Sequence, residues 1–267
     1  MNAVLRAVRD GNIVAQRNAV KIRRVPEILV FVLISPIMFV LLFAYVFGGA
    51  IDPGHGVNYR EFLIGGIFAQ TVVFGSTFTG VSLAEDMQKG IIDRFRSLPM
   101  SRSAVLVGRT ASDVLYNVLS LVIMALTGLL VGWRVRGSLV DAAWGFVLLL
   151  LFAYAFSWVM AFVGLSVPSV DVINNASFVV IMPLTFVSNA FVPLESFPHA
   201  LRTFVEWNPV SAVTQAAREL FGNTAPGAGV PDVWSMQHPV PYTLVWVVAL
   251  VAVFAPLSIA RYRRTSR

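Results

Sequence analysis

Six stretches of this 267-residue chain run for 20 residues or more without an Asp, Glu, Lys or Arg: 28–51, 62–84, 114–133, 142–170, 172–194 and 233–260. A helix needs about 20 apolar residues to cross the roughly 30 Å of a bilayer's hydrocarbon, so each stretch is long enough to span. Only 13% of the residues are charged, against roughly a quarter in an ordinary soluble domain. Disorder, coiled coil and soluble enzyme are thereby excluded. The absence of cysteine removes disulfides, thiolate metal sites and cysteine nucleophiles. The expected fold is an all-α polytopic membrane protein with six transmembrane helices at about 28–49, 62–84, 114–133, 143–167, 172–194 and 240–260. An N-terminal segment, 1–26, precedes the six-span domain of 27–267.

The basic residues set the orientation. With the N-terminus in the cytoplasm, the inner side holds Arg6, Arg9, Arg17, Lys21, Arg23 and Arg24, then Lys89, Arg94, Arg96, Arg102 and Arg109, and finally Arg261, Arg263, Arg264 and Arg267. The outer side holds Arg60, Arg134, Arg136, Arg202 and Arg218, a split of fifteen to five that places both termini inside. The net charge of +6 is thus a topological signal, and nucleic acid is not expected as a partner. The first 27 residues are too long and too charged for a cleaved signal peptide, so the first span is expected to be retained.

Leu5, Val8, Ala15, Ala19 and Ile22 recur at helical spacing, with Arg6, Asp10, Arg17, Lys21 and Arg24 on another face. This predicts an amphipathic cytoplasmic helix over the first 26 residues, lying in the headgroup layer or presenting a surface to a partner. The second span carries Gln70, Ser76 and Thr79, and the fifth carries Asn174, Asn175 and Asn189, residues that either pack helices together or line a path. Between spans two and three, Gly90 breaks the descending helix. Ile91, Ile92, Phe95 and Leu98 then share one helical face while Asp93, Arg94, Arg96 and Ser97 share the other, and Pro99 ends the element. Such a helix rests on the bilayer or inserts into a partner's groove, and its spacing alone does not choose. After span five, Leu201, Phe204 and Val205 predict one short outer helix; Asn208 followed by Pro209 starts another, which Gly222 and Asn223 stop. These outer helices are expected to dip into the headgroup layer.

Several chemistries are missing. Neither lysine, Lys21 or Lys89, stands in a phosphate-binding loop. His55, His199 and His238 are dispersed, and no carboxylate pair lies inside a charge-free run, so metal catalysis and ion-coupled relays are disfavoured. Passage of a solute then implies a passive pore or energy supplied by another subunit.

Glu85 to Arg109 reads E-D-M-Q-K-G-I-I-D-R-F-R-S-L-P-M-S-R and ends in G-R, Ser188 to Pro198 reads S-N-A-F-V-P-L-E-S-F-P, and Trp207 to Gly222 reads W-N-P-V-S-A-V-T-Q-A-A-R-E-L-F-G. In their order and placement these segments resemble the permease subunits of type-2 ABC exporters, particularly the daunorubicin-resistance permease group. The resemblance implies a plasma-membrane exporter of a hydrophobic drug, antibiotic or lipid-like molecule. It further implies a pairing with a second permease subunit, identical or related, and with ATP-binding cassette subunits that hold the ATP and Mg; the chain itself would hold no cofactor. By the same likeness Glu85, Gly90, Ile91, Asp93, Arg94, Phe95, Arg96, Leu98, Pro99 and Arg102 form the coupling helix that seats in the ATPase. The alternative from another class is a polytopic membrane scaffold or assembly factor that transports nothing.

Overall fold

The computed structural model describes residues 34, 36–47, 58–92, 104–224 and 233–264. The N-terminal amphipathic helix and the coupling residues Asp93, Arg94, Phe95, Arg96, Leu98, Pro99 and Arg102 lie outside the described residues. Among the described residues there are helices and no strands, as expected for an all-α membrane protein.

Helix α1 is Pro36–Val46, its last turn wound as a π-helix over Phe43–Phe47. The second span is α2, Tyr59–Gly75, and α3, Thr77–Gln88, joined at Ser76. Then follow α4, Ala104–Val131; α5, Leu139–Gly164; and α6, Val170–Phe186. Two short helices, α7 (His199–Trp207) and α8 (Pro209–Phe221), and the single turn α9 (Trp234–Gln237) lead to α10, Pro239–Arg264. Four of these are long and apolar enough to cross a membrane: the joined Tyr59–Gln88, then Leu106–Val131, Leu139–Gly164 and Pro239–Arg264; Pro36–Val46 and Val170–Phe186 are shorter apolar helices.

Local chemistry sets the ends. Asn58 accepts the amide of Arg60 at 2.9 Å, with Glu61 in the first turn of α2, where the helix dipole favours a carboxylate. Ser138 caps α5 on the amide of Asp141 at 3.1 Å. Asn208 caps α8 on Val210 at 2.8 Å with Pro209 behind it, and Gly222 stops the helix at φ +70, as the spacing predicts. Gly90 likewise adopts φ +64, a left-handed conformation that breaks the helix below Lys89.

α5 is the central post, packed against α3, α4, α8 and α10. At the end of the bundle where α4 finishes, Trp133, Phe68, Phe146 and Phe221 form one ring cluster with centroids 5.0 to 5.6 Å apart. The Trp133 indole also donates to Asn223 Oδ1 at 2.7 Å, closing the end of α8 onto the end of α4. Of the two short helices expected in the headgroup layer, α7 leaves Leu201, Phe204 and Trp207 exposed, whereas α8 is wedged among α2, α5 and α10, with Val210, Val213, Ala217 and Phe221 fully buried. Its apolar stripe is matched by protein.

The fifth charge-free run continues to residue 194, but α6 stops at Phe186. Pro183 removes one amide from the last turn. Beyond it Ser188, Asn189, Ala190 and Phe191 form a buried, non-helical segment satisfied by side chains of α8 and the chain itself.

Candidate functional site

A cavity of about 230 Å³ opens between α1, the second span, α4 and α6. Its aromatic walls are Phe39, Phe74, Phe78, Tyr116 and Phe178, the Phe78 and Tyr116 rings lying 5.0 Å apart. Gln70, Thr71, Thr77 and Ser120 supply the polar wall. Gln70 and Thr71 are buried, yet Gln70 Oε1 and Thr71 Oγ1 find no hydrogen-bond partner among the described residues. The Tyr116 and Ser120 hydroxyls are neighbours on α4 and engage no third group among the described residues. Buried polar atoms normally have partners, so these groups are exceptions packed behind the wall of the cavity.

Below the cavity lies a charged cluster. Asp113 accepts from the Thr79 hydroxyl and sits 3.6 Å from Arg109 Nε. Arg109 in turn donates to Ser82 Oγ and, at 3.4 Å, to the Phe78 carbonyl. α3 and α4 are therefore clamped one turn beneath Tyr116. Further down, Glu85 pairs with Lys89 at 3.2 Å on the surface. Ile91 is half-buried, while Ile92 turns into the bundle beside Leu106 and Tyr262.

The six polar span residues singled out from the sequence separate here. Gln70 lines the cavity. Ser76 lies within hydrogen-bond reach of the carbonyls of Val72, at 2.7 Å, and Ala153, at 3.1 Å, which fastens the joint of the second span to α5. Thr79 belongs to the charged cluster. Asn174 and Asn175 are exposed on the outward side of α6 with Phe178, Val179 and Val180. Asn189 is tied into the outer wall: its amide nitrogen donates to Ser211 Oγ at 3.1 Å and its side chain to Gln215 at 3.4 Å.

Sequence reasoning placed α4 as a span but missed its polar face. Asp113, Tyr116, Asn117 and Ser120 stand at i, i+3, i+4 and i+7 and are all buried, a polar stripe on one helical face. That periodicity was the available signal. It also missed Arg218, counted from sequence among the outer-loop charges but 1% exposed. Its guanidinium donates to the carbonyls of Phe62 (2.8 Å), Asn189 (2.8 Å) and Ala190 (2.9 Å) and lies 3.4 Å above the Phe62 ring. Burial pushes its pKa down to about 9, still above neutrality, so it remains charged at physiological pH. Among the described residues no cluster of three or more His, Cys, Asp or Glu is arranged to hold a metal ion.

The apolar helices that enclose this cavity have the build of a polytopic membrane protein. The chain belongs to the ABC-2 type transporter family, which it matches over residues 11–221. It is 35% identical over 238 residues, 89% of this chain and 80% of the relative, to the daunorubicin resistance ABC transporter permease protein DrrB1 of Streptomyces coeruleorubidus. It is 29% identical over 230 residues, 83% of this chain and 78% of the relative, to the doxorubicin resistance ABC transporter permease protein DrrB of Mycobacterium tuberculosis. A more distant likeness, 22% over 220 residues, covers 81% of this chain and 75% of the putative transport permease ycf38 of Porphyra purpurea. The chain is a permease subunit.

Proposed function

We propose that this permease exports a hydrophobic drug, antibiotic or lipid-like molecule across the plasma membrane, with both termini cytoplasmic. The energy comes from a separate ATP-binding cassette subunit that carries the ATP and Mg, and the transport unit is completed by a second permease subunit. The observation that carries this reading is the cavity: an aromatic chamber with unsatisfied buried polar groups, inside a family of transporters and among relatives named for resistance to daunorubicin and doxorubicin. Cargo meets Gln70 in this chamber, while Ser76, Thr79 and Asn189 hold its surroundings in place. Asn174 and Asn175, exposed on α6, face the second permease subunit and extend the path between the two.

The ATPase docks on the segment from Glu85 to Arg102, with Phe95 and Leu98 as apolar anchors and Arg94 and Arg96 pairing with acidic groups at the rim. Phe95→Asp is expected to reduce co-purified cassette subunit by roughly tenfold or more, since a buried anchor contributes about 2 kcal/mol or more. Membrane insertion of the permease stays normal. Wild-type recovery of the cassette subunit, with full cargo-stimulated ATPase, would remove the coupling role from this segment.

The orientation has its own test, because a chain without cysteine is a clean labelling host. Ser138, exposed at the cap of α5, is expected as Ser138→Cys to react with an impermeant maleimide in intact cells. Ser97→Cys is expected to react only after permeabilisation. The opposite pattern would invert the topology.

A further inference from the structure

We propose that the buried cluster of Thr79, Ser82, Arg109 and Asp113 is the tie that carries movement of the ATPase into the wall of the cavity, with Arg109 and Asp113 as its positioning residues. This rests on the export reading, in which the ATPase docks on the stretch from Glu85 to Arg102, and names the residues that pass its motion on. That stretch runs from the last turn of α3 to just short of α4. If the two helices could splay, a push on the stretch would be absorbed in spreading them. The tie sits about one and a half turns inside each helix, Ser82 before the end of α3 at Gln88 and Arg109 after the start of α4 at Ala104. Arg109 and Asp113 share one face of α4 and lie 3.6 Å apart; opposite them Phe78, Thr79 and Ser82 share one face of α3. Arg109 donates to Ser82 Oγ and, at 3.4 Å, to the Phe78 carbonyl, and the Thr79 hydroxyl donates to Asp113. The side chains of Arg109 and Asp113 are only 12% and 5% exposed. Ionisable groups inside a membrane span are costly and mark function, and α3 is already held to α5 by the crossing of Gly80 and Gly164.

Phe78 joins the tie to the cavity. Its carbonyl is one of the acceptors of Arg109, and its ring lines the cavity 5.0 Å from the ring of Tyr116, which stands about a turn beyond Asp113. The two helices therefore move as one body beneath the cavity, and a shift of that body displaces both rings together. Coupling between sites needs an element with two arrangements that both sites bias. Here the element is the pair of α3 and α4, and it turns at Ser76, where α3 leaves α2.

The test uses the full chain with its cassette subunit in lipid nanodiscs. Thr77→Cys, on the half-buried cavity wall, is then the only thiol of the permease, and its labelling by the neutral reagent monobromobimane is read on the permease band. Trapping the ATPase with ATP, Mg and vanadate is expected to change the labelling rate by about threefold, a modest shift between two arrangements. Arg109→Gln combined with Asp113→Asn removes both charges at once, so no unpaired ion stays buried. This double variant is expected to keep the cassette subunit and the trapped nucleotide while the response falls to about 1.2-fold or less. Ser82→Ala is expected to lower it to about 1.5-fold, and Ser82→Thr, which retains the hydroxyl, to preserve it. Should the double variant fail to fold, the two Ser82 variants decide. A full response in the double variant or in Ser82→Ala, or equal loss in Ser82→Ala and Ser82→Thr, overturns the tie and leaves the export reading standing. No response in the Thr77→Cys parent, with nucleotide trapped, overturns the coupling on which the tie rests.

Discussion

Arg218→Leu is expected to lower the thermal midpoint of the purified permease by about 10 °C, read by size-exclusion chromatography of heated samples. The carbonyls of Asn189 and Ala190 lie outside any helix and receive the Arg218 Nη2 at 2.8 and 2.9 Å. An orphaned buried carbonyl costs about 1 to 3 kcal/mol, and lost packing on Phe62 adds to two of them, for a total of about 3 kcal/mol or more. Arg218→Lys is expected to recover little of this. A single ammonium cannot reach Phe62 on one side and Asn189 and Ala190 on the other, as the guanidinium fork does. The same fork holds the segment after α6 against α2 so closely that a Cβ on Gly66 would stand 2.0 Å from the Ala190 carbonyl oxygen. A midpoint within about 2 °C of wild type, under 1 kcal/mol, would show that the buried cation is not what joins the outer ends of these helices.

Gly164→Val is expected to cut the yield of monodisperse protein by roughly tenfold, because forcing side-chain atoms into a closed contact costs about 1 to 3 kcal/mol. A Cβ at Gly164 would lie 2.4 Å from the Gly80 carbonyl oxygen, and one at Gly80 would lie 2.7 Å from that of Met160. α3 and α5 thus cross backbone to backbone, and a main-chain atom has no rotamer by which to yield. Close approach of this kind is how small residues join membrane helices. The crossing also fixes the height of α3, which runs down to Glu85 and the break at Gly90. Leu130→Val, at a site 88% exposed, serves as the control and is expected to behave as wild type. Normal yield and elution for Gly164→Val would mean that α3 and α5 separate without penalty.

The number of apolar helices, their order and several of their ends were legible in the sequence, because they follow from local quantities. Freedom from charge over 20 residues or more reports the transfer of each residue into hydrocarbon, one by one. Asn208, Pro209 and Gly222 act within a single turn of the helix they bound. What the polar residues do was not legible, since that depends on which helix comes to stand opposite. Ser76, Thr79 and Gln70 read alike along one span; in three dimensions Ser76 meets a carbonyl of α5, Thr79 meets Asp113, and Gln70 is buried with its Oε1 unpartnered among the described residues. Asn189 lies inside a charge-free run yet belongs to a non-helical segment held by α8, and Arg218, an outer-loop charge by its position, is buried against three carbonyls. A hydrogen-bonding side chain in an apolar medium must find a partner, and the choice of partner is made by the packing of helices distant in sequence.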